Sequence, residues 1–137
     1  MQRRFALVLI AAMQSIGSVA ADQAPTGIYV IAHLGLQVTE RDVREIYLGE
    51  KELAVGIRLA PVDNANEQRE FLAVVLKLDV TKYNALWTKK SFRDALNPPP
   101  LHVNDAAVIQ AVLRTPGGIG YVRGVPQGVV VVAKYPP

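Results

Sequence analysis

The chain contains no cysteine among its 137 residues. Disulfides, thiolate zinc sites, cysteine-held iron–sulfur clusters and thiol nucleophiles are thereby excluded. Histidine is almost as scarce. His33 and His102 are the only two, and no HxH or HxxxH spacing brings imidazoles together for a metal. Beyond residue 21 serine occurs once, at Ser91, outside any nucleophile-elbow sequence. No pair of carboxylates stands out as acid and base. Gly117-Gly118 and Gly120 lack the Lys-Ser/Thr of a phosphate-binding P-loop, so a helix end followed by a strand explains them better. The expectation is a protein that is not an enzyme and uses no cofactor and no metal.

Long apolar runs are also missing beyond the first segment, so the protein is not expected to span a membrane. That first segment, residues 1–21, has the three parts of a secretory signal peptide: Arg3 and Arg4, an apolar stretch over residues 5–13, and small residues for cleavage after Ala20 or Ala21. The expected mature form is a single domain over residues 22–137, exported and periplasmic. Loss of Arg3 and Arg4 lowers the net charge from +3 to +1. So weak a balance argues against a nucleic-acid partner. Lys89, Lys90 and Arg93 gather beside Trp87 and Phe92. They read either as a patch for an acidic partner or as a solvated face over a core made by Tyr83 and Trp87.

Residues 28–32 are apolar and β-branched, which fits a strand buried on both faces. Thr39 followed by Asp42 marks a helix start, Val43, Ile46 and Tyr47 give it one apolar stripe, and Gly49 ends it. Residues 57–62 read as a second strand. Asn64 or Asn66 caps a helix whose stripe is Phe71, Leu72, Val75 and Leu76. Asp79 or Thr81 starts the Tyr83–Trp87 helix. Asn97-Pro98-Pro99-Pro100 is an extended connector. Asn104-Asp105 opens a helix with Val108, Ile109, Val112 and Leu113 inward, and Pro116-Gly117-Gly118 stops it. Residues 119–122 and 129–133 complete the set as strands. Strands alternating with amphipathic helices predict an α/β fold with a largely parallel sheet.

Several of these pieces fall in the order found in one family. Ile46-Tyr47-Leu48-Gly49, Pro61-Val62-Asp63 and Pro116-Gly117-Gly118-Ile119-Gly120-Tyr121-Val122 resemble segments of the phosphate-binding proteins of ABC transporters, which are type II periplasmic binding proteins. The resemblance runs over residues 28–122 and is closest to short exported members. It implies one three-layer lobe of the two that such proteins close on a ligand, with a largely parallel sheet flanked by helices. It also implies a substrate-binding role in phosphate transport, with phosphate or another small anion as ligand.

The family's ligand turn is a strand, an Asp and a helix start. Here it reads PVDNANEQREFL over residues 61–72. Asp63 matches the Asp that accepts a hydrogen bond from a protonated phosphate oxygen. Asn64, Asn66, Gln68 and Arg69 are the other candidate ligand groups, since amides donate to an anion and a guanidinium supplies charge. Each also has a purely structural reading: Asp63 closing its own turn, the amides capping the helix, Arg69 solvated or paired with Glu67 or Glu70. The hydroxyl-rich Ser-Gly-Thr that follows the Asp in the family is NANEQR here, and the tryptophan usual after the first helix is missing over residues 50–56. These departures motivate a second expectation: a periplasmic accessory or protein-interaction domain that has lost ligand binding and answers to a periplasmic or membrane protein partner.

Overall fold

The computed structural model describes residues 27–137. The proposed signal peptide lies outside the described residues. Thirteen short elements follow one another: β1 (Ile28–His33), α1 (Glu40–Tyr47), β2 (Leu53–Ala54), β3 (Ile57–Arg58), β4 (Ala60–Pro61), β5 (Asp63–Asn64), α2 (Gln68–Phe71) running into a π-helical turn (Leu72–Leu76), α3 (Val80–Asp94), β6 (Leu101–His102), α4 (Asp105–Arg114), β7 (Gly118–Val122) and β8 (Val129–Tyr135).

The helix starts follow their caps. The Asp42 carboxylate accepts from the Thr39 backbone N–H at 2.8 Å. Asp79 accepts from Lys82 N–H at 2.8 Å, and Asn104 from Ala107 N–H at 2.9 Å. Each satisfies a donor that the first helical turn leaves free. The α2 start differs. Its first helical residue follows Glu67, not Asn64 or Asn66, and the Asn64 side-chain oxygen instead accepts from Asn66 N–H at 3.1 Å, closing the turn before the helix.

The main sheet has the order β4-β7-β1-β8. β1 is antiparallel to both neighbours, Val30 lying opposite Tyr121 on one side and Ala133 on the other. Only β4 runs parallel to β7. The expected three-layer lobe with a largely parallel sheet is therefore corrected to a small mixed sheet with two two-stranded satellites, β2-β3 and β5-β6. The physical reason is β1's position. It is buried on both faces because α1, the Phe71–Leu76 stretch and α3 cover one side of the sheet and α4 the other, and double burial does not specify strand direction. β7 and β8 run parallel to each other, and residues 123–128 carry the chain back past β1 between them.

The expected strand over 57–62 is also divided. Val55 and Gly56 both take positive φ, 49° and 78°, and fold Leu53–Ala54 back onto Ile57–Arg58. Two positive φ values in a two-residue loop give the turn whose twist suits a hairpin. A β-branched side chain is costly there. Val55 is also 75% exposed, so it gains little from burial. Val55→Asn should therefore raise stability by roughly 1 kcal/mol, read as a higher urea midpoint with unchanged slope.

Burial divides between the sheet's faces. Ile28, Val30, Ala32, Ile119 and Tyr121 pack with α1, the Phe71–Leu76 stretch and α3. Ile31, Val62 and Val122 pack with Val108 and Val112 of α4. The stripes expected on α1 and α4 hold at Val43, Ile46, Tyr47, Val108 and Val112, whereas Leu113 is 37% exposed. Tyr47 ties α1 to the sheet by donating to Val62 O at 2.9 Å.

Candidate functional site

Asp63 ends the run from β4 and enters β5, where its N–H donates to Pro100 O at 2.8 Å. The pairing of β5 with β6 thus docks the proline connector beside the turn. The Asp63 side chain points inward. Tyr83 of α3 donates to one carboxylate oxygen at 2.7 Å, and Tyr121 of β7 donates to the other at 2.8 Å. Tyr121 is itself held by rings. It stacks on Phe71 with centroids 3.8 Å apart and meets Tyr47 edge-on at 5.7 Å.

The residue is 1% exposed. Burial disfavours the charged form and pushes the Asp63 carboxyl up to about 6, with the two phenols pulling against that shift. Burial, reinforced by the Asp63 charge, also raises Tyr83 and Tyr121, so both stay protonated donors.

Asn64 is equally buried and fully engaged. Its amide donates to Asp105 at 2.6 Å and to Tyr121 O at 2.9 Å. Asp105 spends its other oxygen on Arg123 N–H at 3.0 Å. The Arg123 guanidinium pairs with Glu67 at 2.8 Å and with Glu70. Of the two structural alternatives for Arg69, solvated or paired with Glu67 or Glu70, this leaves the solvated one, since both glutamates pair with Arg123 and Arg69 is exposed.

The five sequence candidates are thus divided. Asp63 and Asn64 lie inside the protein, bonded to its own groups, while Asn66 and Arg69 are exposed and Gln68 is half-buried on the α2 side. Around them stand Asp63, Glu67, Glu70 and Asp105 against Arg69 and Arg123. A small anion at the start of α2 would meet a local excess of carboxylate.

Nothing local in the sequence marks Tyr83, Tyr121, Asp105 and Arg123 as partners of this turn. Tyr83 reads there as helix core and Tyr121 as part of a strand motif. The contacts of the two tyrosines span 20 and 58 residues, and no short-range pattern encodes them.

Elsewhere, His33 has Nδ1 3.0 Å from Val112 O. Among the described residues no cluster of three or more His, Asp or Glu side chains is placed to hold a metal. A cleft of about 450 Å³ lies between the Asn97-to-Pro100 connector, Trp87 and the far side of β4. Lys51, Glu52 and Arg58 line it with mixed charge, and Lys51 is already paired to Asp42 at 3.0 Å. No helix among the described residues is long and apolar enough to cross a membrane. No protein-family model matches the chain, and no curated protein is significantly similar to it.

Proposed function

We propose that this chain is an exported, non-catalytic accessory domain that keeps the frame of a solute-binding turn and has turned its polar groups to structural use. The observation that carries this reading is the Asp63 carboxylate, with each oxygen already occupied by a tyrosine hydroxyl from a different element. A ligand-accepting Asp needs an open oxygen facing solvent, and an anion site needs free donors. Of the candidate donors the Asn64 amide is used within the protein, and Glu67 and Glu70, both paired with Arg123, flank the turn.

The competing reading, a phosphate or other small-anion binding protein serving an ABC transporter, rests on the motif resemblance and is separated from ours by titration. On the purified protein, calorimetry with phosphate and with sulfate should give no binding heat, and the melting temperature should stay unchanged up to millimolar ligand. A specific site loaded to a hundred times its dissociation constant would add about 2.7 kcal/mol and raise the melting temperature by on the order of 10 °C. A rise of that kind, removed by Asp63→Ala, would overturn the proposal.

A further inference from the structure

Helix α3 is held to the protein by few side chains. Tyr83 reaches Asp63, the Trp87 indole donates to Tyr47 O at 3.2 Å, and Lys90 donates to Leu48 O at the end of α1. After Trp87 every residue through Asp94 except Lys90 is exposed. At 3.6 residues per turn the outward surface separates into two arcs. One carries Thr81, Asn84, Thr88 and Ser91, all neutral. The other carries, in order around the helix, Phe92, Ala85, Lys89, Lys82 and Arg93, with half-buried Leu86 at its edge, packed against the core.

The second arc is a cationic strip with apolar side chains along its edges. Lys82 and Lys89 form no ion pair among the described residues, and Arg93 meets only its neighbour Asp94, at 3.1 Å. Lys82 to Arg93 extends about 16 Å along the helix. Phe92 is 89% exposed, the most exposed of the large apolar side chains among the described residues. The groove that Lys82, Leu86, Lys89 and Arg93 line is shallow, and the helix surface is convex.

We infer that this arc of α3 docks the protein on an anionic phospholipid surface. Positive charge without internal partners complements acidic headgroups, each cation adding to the attraction. A ring among basic residues suits the headgroup level, where aromatic side chains settle. The groove along this convex helix is open and shallow, which fits a flat, fluid surface better than a protein anchor seated in an enclosed pocket. The inference is independent of whether the Asp63 turn binds an anion, because Lys82, Lys89 and Arg93 take no part in the hydrogen bonds and ion pairs of that turn.

Co-sedimentation tests it, with phosphatidylcholine vesicles that contain or lack phosphatidylglycerol. The wild-type protein should partition onto the anionic vesicles at low salt, and not onto the neutral ones. Lys82→Gln, Lys89→Gln and Arg93→Gln together should lower the partition coefficient by about a hundredfold. Phe92→Ser should lower it several-fold and leave the salt dependence in place. All variants share one N-terminus, so any contribution from that segment cancels in the comparison. Equal melting temperatures confirm that the variants are folded, as expected for exposed positions. Equal partition of wild type and triple variant overturns the inference. So does retention of wild type on polyglutamate without binding to anionic vesicles, which would assign the arc to an acidic protein.

Discussion

Asp63→Asn is expected to stabilise the protein at about pH 8 by roughly 2–3 kcal/mol, and to make no difference below about pH 3.5. The wild-type carboxyl titrates at about 6 when folded, against 3.8 for its ordinary value. A folded-state pKa above the unfolded one means that folding favours the proton. The group's contribution is complete below the unfolded pKa, declines as pH rises from about 4 to 6, and is constant above that. Over that window stability falls by about 1.4 kcal/mol per pH unit.

Asparagine imitates the protonated acid. Its oxygen accepts from one tyrosine, and its amide donates to the other hydroxyl's lone pair once that hydroxyl turns. It carries no charge to bury, so its stability should not follow this titration. Urea unfolding of both proteins across pH, plotted as a difference, isolates Asp63 from the other acids. The difference curve should be flat near zero at low pH, rise between about pH 4 and 6, and level off. A variant less stable than wild type at pH 8 would mean that the two phenol hydrogen bonds outweigh the cost of the buried charge.

Much of the local structure was legible because the rules that make it are local. Thr39 with Asp42, Asp79 and Asn104 each cap the helix they announced, since capping involves residues two or three apart. The stripe of Val43, Ile46 and Tyr47 turned inward for the same reason of spacing. What failed depends on distant contacts. The direction of β1 is set by β7, some ninety residues away in sequence, and by β8 beyond it, so the largely parallel sheet could not be tested against residues 28–33 themselves. The division of 57–62 is a change of partner at Leu59, from β2 to β7, and the first of these pairings depends on the turn at Val55-Gly56, where valine gives none of the usual turn signals.

At the site, Asp63 was marked by its place after an apolar run, and Tyr83 by its helical stripe. The hydrogen bond between them was invisible because an aromatic on an apolar stripe signals only core, whatever its hydroxyl does. Arg123 had no marker at all. It lies just beyond the Gly117-to-Val122 motif and reaches Glu67 and Glu70 only because β7 passes beside β5.

Gly117→Ala is expected to cost 3 kcal/mol or more, roughly, and to leave little folded protein if total stability is at the low end of the usual range. A Cβ at this position would lie 1.8 Å from Arg58 O and 2.8 Å from Arg58 C. Both are backbone atoms and cannot rotate aside. Relief requires β4 to move away from β7. That breaks the bonds from Ala60 N–H to Gly117 O at 2.8 Å and from Val62 N–H to Ile119 O at 2.9 Å, and it pulls Asp63 away from Tyr121. Gly124→Ala is the matched control, since a Cβ there meets nothing within 4 Å. It should shift stability by less than about 0.5 kcal/mol. Urea unfolding followed by circular dichroism measures both. Equal midpoints for Gly117→Ala and wild type would mean that the two strands do not approach this closely. The same substitution also separates two meanings of the Pro-Gly-Gly run. A glycine kept for a ligand's approach would lose binding while the fold stood, whereas a glycine kept for the approach of β4 loses the fold first.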